Sequence, residues 1–151
     1  MFTRKRLIYG VLILAALALG FFLFPRGGDS LEEVAGPDKN RDGIRDDIEA
    51  YIDNNFQDPK HNAALRQTAR AMQQTINEPD KEPLRQAQKV SAGQRCLDER
   101  LGIERGSEVG DKLEQMHADT SPRIRRYLRF NKNLSGLVLS EGSQHLSCDG
   151  K

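Results

Sequence analysis

The chain has no tryptophan and only nine phenylalanines and tyrosines among 151 residues. Few large rings are therefore on hand to fill a core. A thin core leaves little room for a deep pocket and gains from any covalent or ionic staple. Histidine is scarce too. His61, His117 and His145 stand far apart with no metal-ligand spacing. His145 and Cys148 form an H-x-x-C pair, but one distant cysteine and no fourth ligand do not make a tetrahedral zinc site. There is no G-x-S-x-G turn and no phosphate-binding glycine loop. Acidic neighbours such as Asp46/Asp47 and Asp98/Glu99 read as surface pairs rather than acid–base machinery. These absences point away from an enzyme; a small hydrolase with an unfamiliar site is the weakest of three readings.

No sign of charge dominates either, with 23 basic against 22 acidic residues. Arg4, Lys5, Arg6 and Arg26 lie in the first 26 residues, which hold no acid. The remainder keeps 19 basic and 22 acidic residues, a formal charge of −3. Such a balance exerts no general pull on nucleic acid, so no nucleic-acid partner is expected.

What the chain does have is one long apolar run. Residues 7–24 (LIYGVLILAALALGFFLF) carry no charge. As a helix they would span ~27 Å, close to the ~30 Å hydrocarbon core of a bilayer. The basic stub 1–6 predicts a cytoplasmic N-terminus, with the C-terminal part periplasmic or extracellular. A cleaved signal peptide is the competing reading. The run, however, ends in bulky Phe21, Phe22 and Phe24, without a small-x-small site or a following cysteine for lipid attachment. The expectation is a single-pass signal-anchor across 7–24.

Residues 25–37 read as a linker broken by glycine and proline, with Ser30 and Glu33 able to cap a short turn through Val34. Beyond it, apolar residues recur at helical spacing and predict a helical domain over 44–135. Ile44, Ile48, Tyr51, Ile52 and Phe56 form one stripe. Asp58-Pro59 starts a second helix with Leu65, Ala69, Met72 and Ile76, which stops near Asn77-Glu78-Pro79. A third starts near Glu82-Pro83, carries Leu84, Ala87, Val90, Leu97 and Leu101, is weakened by Gly93, and ends at Gly102. A short fourth follows Ser107, with Val109, Leu113 and Met116. A fifth starts at Ser121-Pro122, with Ile124, Tyr127, Leu128 and Leu134 as its apolar side. The tail 136–151 has one apolar patch, 137–139, read as a brief strand or packed loop. The fold class is all-α: a transmembrane helix followed by a small irregular bundle. An even cysteine count in an exported domain predicts a Cys96–Cys148 disulfide closing about 50 residues.

The most specific motif is at 38–49: Asp38, Asn40, Asp42, Gly43, Ile44, Asp46 and Glu49 fit D-x-[DN]-x-[DN]-G-x₅-E in full. A hard cation such as Ca2+ takes six to eight oxygens, and alternate residues of a tightly wound loop can aim theirs inward. Asp38, Asn40 and Asp42 would offer side-chain oxygens, Ile44 its backbone carbonyl, Asp46 a direct or water-bridged contact, and Glu49 two oxygens. Gly43 permits the sharp turn. The alternative is a metal-free polar turn capping the helix of Ile48 and Ile52. The loop resembles those of EF-hand proteins. It is closer to the calcium motifs of thrombospondin type 3 repeats and related bacterial exported proteins, through Asp42-Gly43-Ile44-Arg45-Asp46. The resemblance covers 38–49 alone. It departs from EF-hands where Gly36-Pro37 stands against an entering helix and where Arg45 holds a place usually branched and apolar. It implies one calcium ion, and with one loop it does not imply a paired-hand sensor.

Arg123, Arg125, Arg126, Arg129 and Lys132 fall within ten residues with no acid among them. They read as a basic amphipathic helix, able to meet anionic lipid or an acidic envelope partner, or as a solvated face neutralised by Asp111, Glu114 and Asp119. The first functional expectation is a membrane-anchored exported calcium-binding protein without catalysis. The second is a tethered assembly subunit in which the loop only staples the fold.

Overall fold

A computed structural model of the chain describes residues 30–137 and Cys148. The run 7–24, the stub 1–6, most of the linker, His145 and nearly all of the tail, its patch at 138–139 included, lie outside the described residues. Among those described there are six helices and no strand, and no helix is long and apolar enough to cross a membrane.

The helices are α1 Leu31–Ala35, α2 Asp46–Asn55, α3 Pro59–Asn77, α4 Pro83–Leu101, α5 Ile103–His117 and α6 Ser121–Leu134. Three start where a proline stands in the first turn, its ring angle already helical. For α3 the cap is Asp58, whose Oδ1 accepts from the amides of Lys60 at 2.8 Å and His61 at 3.1 Å. For α6 it is Thr120. Glu82 precedes α4 in the left-handed region, at φ 45°.

α3 is the central element, and each of the other five helices packs against it. The core joins Ile44, Ile48, Ile52 and Phe56 of the first stripe to Ala64, Leu65 and Ala69 of α3. Cys96 and Leu97 of α4 and Val109 and Leu113 of α5 complete it, with Tyr51, Met72, Leu101 and Met116 at its edge. Most of the predicted stripes are the buried faces observed.

Three expectations need correction. α5 starts at Ile103, not after Ser107. Gly102, at φ +85°, turns the chain, and its carbonyl accepts at once from the Gly106 amide at 2.7 Å. Ile103 is exposed, so no apolar periodicity marks that first turn. Gly93 does more than weaken α4. It is buried against α3, where a Cβ would lie 2.7 Å from Thr68 Oγ1 and 3.0 Å from Thr68 Cα.

The third concerns α6, whose inward face carries Arg123 and Phe130, while Ile124 and Leu128 are 44% and 58% exposed. The helix is rotated about its axis relative to the apolar count. Arg123 can go inward because Val34 O accepts from its Nε at 2.8 Å and Asp119 Oδ1 from its Nη1 at 2.6 Å. Arg123 thus leaves the predicted basic surface.

Cys96 and Cys148 are bonded, with Cα atoms 5.2 Å apart and a sequence separation of 52. The bridge ties the chain near its end to the middle of the core.

Candidate metal centre

The 38–49 loop is wound by its own side chains. Asp38 Oδ1 accepts from the Asp42 amide at 3.2 Å and Oδ2 from the Gly43 amide at 2.9 Å. Asn40 Oδ1 also accepts from the Asp42 amide, at 3.1 Å, and Asp42 Oδ1 from the Ile44 amide at 2.9 Å. Short polar side chains bonding to amides two to five residues on are what make Asn and Asp turn formers. Gly43 sits at φ +85°, which a residue with a Cβ adopts only at a cost. The loop closes where the Asp46 amide donates to Pro37 O at 2.8 Å. Ile44, fully buried, then fastens it to the core. A helix does enter the loop, but it is the five-residue α1, ended at Gly36.

Three of the predicted positions converge. Asn40 Nδ2 donates to both Glu49 oxygens at 3.0 Å. Arg66 Nη1 donates to Glu49 Oε1 at 2.6 Å and reaches Asp42 Oδ2 at 3.3 Å. Asp42 and Glu49 thus share one guanidinium; Asn40 joins them through its Nδ2 on Glu49, its Oδ1 being turned to the Asp42 amide, and Asp38 joins through the turn. Asp46 faces elsewhere: its Oδ1 accepts from the Lys39 amide at 2.9 Å and its Oδ2 lies 3.3 Å from Lys39 Nζ. The Lys39 amide holds its carboxyl below the usual range.

The cation at the point of convergence is a residue the motif does not contain. Arg66 also binds both Asp53 oxygens at 2.8 and 2.9 Å and Asn62 Oδ1 through Nε at 2.8 Å. One turn on, Arg70 Nε donates to Asp42 O at 2.7 Å. Residues four apart share a helix face, so α3 presents both arginines to the loop. The i, i+4 arginine pair was visible in the sequence; nothing local tied it to a loop that ends 17 residues before Arg66.

Do these residues fit calcium? The donor set is right in kind: carboxylates at 38, 42 and 49 and an amide at 40, on a loop turned at glycine. Among the described residues, however, no three His, Cys, Asp or Glu side chains gather closely enough to hold an ion by themselves. The Asn40 amide and main-chain oxygens would have to complete the shell, and Arg66 would have to yield its place. The donor types and the winding fit; for an ion to bind, Arg66 would have to leave, Asn40 to turn its Oδ1 inward and Asp46 to leave Lys39.

Beside the loop lies a second charged cluster, built inward. Arg45, where an EF-hand-like loop usually has a branched apolar residue, is 2% exposed. Its Nε and Nη2 donate to Asp47 at 2.7 and 2.6 Å, and Nη2 also to Asp119 Oδ2 at 3.0 Å. Hydrogen bonding to Arg45 holds the Asp47 carboxyl below its ordinary range. Burial pushes Asp119 up, but Arg123 and Arg45 together keep it low. A buried charge is tolerated when paired and hydrogen-bonded, and Arg45 and Arg123 share Asp119 for this.

The remaining predicted surface separates on α6. Arg125, Arg129 and Lys132 are exposed, Arg126 is half-buried, and Arg129 Nε donates to Asp80 Oδ1 at 2.7 Å. Of the acids expected to neutralise this helix, Glu114 accepts from Tyr127 instead and Asp119 serves the buried arginines. No family model, no characterised protein and no solved structure matches the chain.

Proposed function

We propose that this protein is a membrane-anchored, exported calcium-binding domain with a structural or interaction role rather than a catalytic one. One observation carries the reading: Asp42 and Glu49, spaced as the motif requires, share one cation, the Arg66 guanidinium, and Asn40 lies against Glu49. Calcium there would be held by Asp38, Asn40, Asp42, Glu49 and main-chain oxygens including that of Ile44, with Asp46 at the margin. It would supply a doubly charged crosslink between the loop and the first turn of α2. A cage dominated by protein oxygens suits calcium better than magnesium, and an affinity of ~10⁻⁴–10⁻³ M would be typical of an extracellular module. The anchor is the apolar run 7–24, with the basic stub in the cytoplasm; the Cys96–Cys148 bridge is in keeping with an oxidising compartment.

Arg66 favours a second reading. A loop already closed by a guanidinium can staple α2 to α3 without any ion, leaving the protein as a tethered assembly subunit. Calorimetric titration of the full chain in detergent distinguishes the two. Heat of binding at millimolar calcium, abolished by Glu49→Gln, supports the first reading; no heat in that range overturns it.

A further inference from the structure

The rotation of α6 creates a surface that the linear pattern does not contain. At 100° per residue, Ile124, Leu128, Lys132, Arg125 and Arg129 fall within an arc of roughly 140°, opposite the arc of Arg123 and Phe130. Two aliphatic side chains one turn apart therefore stand exposed beside three exposed cations. Asp80, paired with Arg129 and with Asn133 Nδ2 at 2.9 Å, borders this face. Arg129 stays 61% exposed in that pair.

We infer that the outward face of α6 docks flat on an anionic lipid bilayer, with Ile124 and Leu128 entering the headgroup–acyl boundary and Arg125, Arg129 and Lys132 meeting lipid phosphates. The chemistry is complementary on both counts. Apolar side chains gain by leaving water, and long basic side chains lay their stems along the boundary while keeping their charges at the phosphates. A second copy of this chain is a poorer occupant, since it would set a mostly basic face against itself. An acidic protein would satisfy the cations but has no special use for the aliphatic pair. The inference rests in part on the proposed anchor. Six residues, 25–30, join the apolar run to α1, and α1 holds α6 through the bond from Arg123 to Val34. A fully extended link of that length reaches at most ~25 Å, so the proposed anchor would keep the start of α1 near a bilayer.

The absence of tryptophan makes the test direct. The full chain carrying Leu128→Trp, its only tryptophan, is reconstituted in phosphatidylcholine vesicles with and without phosphatidylglycerol. The expected result is an emission shift to shorter wavelength, with quenching by brominated acyl chains, only when phosphatidylglycerol is present. Arg125→Gln, Arg129→Gln and Lys132→Gln should each weaken this response about fivefold, from the worth of one basic residue at an anionic surface. Emission that is the same in neutral and anionic vesicles overturns the inference, whether it reports water or lipid. Flotation of the chain with vesicles after a high-salt wash reports the anchor separately: its loss removes the anchor reading, while a shift that depends on anionic lipid still supports docking by α6.

Discussion

Arg66 Nη1 donates to Glu49 Oε1 at 2.6 Å, so the last oxygen-bearing position of the motif is already charge-paired across two helices. The bond places a monovalent cation where the motif chemistry calls for a divalent one. Hydrogen bonding to Glu49 and Asp53 holds the guanidinium firmly charged. Any calcium must therefore compete with a tethered cation, which is one physical reason to expect modest affinity.

Replacing Arg66 by Gln tests that competition. Without calcium, Asp42, Glu49 and Asp53 lose their shared partner, and stability should fall by about 1.5–3 kcal/mol, the range for hydrogen bonds to charged groups. With millimolar calcium the loss should be largely recovered, giving a larger calcium-induced rise in Tm than in the parent protein. Equal rises in both, measured by thermal unfolding with calcium and with chelator, would show that Arg66 and the ion do not share a place.

His117 sets an acid limit on the fold. The ring is 3% exposed, and its Nδ1 is bonded to Leu113 O at 2.7 Å. Nε2 has no hydrogen-bond partner among the described residues. Burial, with Arg45 nearby and only partly offset by main-chain bonding to Leu113 and Ala69 and by Asp47, lowers its pKa from 6.5 to about 4. The folded protein thus refuses a proton that the unfolded chain accepts. The stabilisation is complete above pH 6.5 and is lost as pH falls toward 4, by about 3 kcal/mol in all. The lowered carboxyls of Asp47 and Asp119 add a separate loss only below the ordinary carboxylate range. Urea midpoints across pH 4–7 should show this slope in the parent and a flat profile in His117→Asn.

The disulfide should contribute on the order of 4 kcal/mol in the chain-entropy model for a loop of this length. Cys148→Ser is expected to lower the unfolding free energy from urea titration by that amount, and a reductant should reproduce the loss in the parent protein but not in the variant. Unchanged unfolding under reducing conditions would mean the bridge is not populated.

Gly93 offers a test in which helix propensity and packing predict opposite signs. Alanine is the better helix former by about 1 kcal/mol, so a position that merely weakens α4 would be stabilised by Gly93→Ala. Here the added carbon meets the Thr68 backbone at 3.0 Å, and overpacking costs typically about 1–3 kcal/mol. Net destabilisation, larger for Gly93→Val, is expected in chemical denaturation.

Much of the helical frame was legible along the chain. Asp58-Pro59 and Ser121-Pro122 mark helix starts because a cap (Asp58 in one, Thr120 just before Ser121 in the other) and a ring-locked φ act within one turn, whatever packs later. The stripe from Ile44 to Phe56 is the buried one because its spacing leaves a single apolar side. Where a signal needed a partner far along the chain, it failed. Leu128 looked like core and Arg123 like surface, yet Asp119 and the Val34 carbonyl reversed them. Gly93 looked like a defect until Thr68 stood beside it.

By itself the sequence determined what local chemistry settles: helix caps, apolar stripes, a loop of alternating oxygen-bearing residues turned at Gly43, and which two cysteines could pair. Only the tertiary structure decided which way α6 faces and which cation meets Glu49. Both outcomes depend on charged groups finding partners on other helices, and a hydrogen bond spanning 17 or 89 residues leaves no periodic trace in either segment it joins.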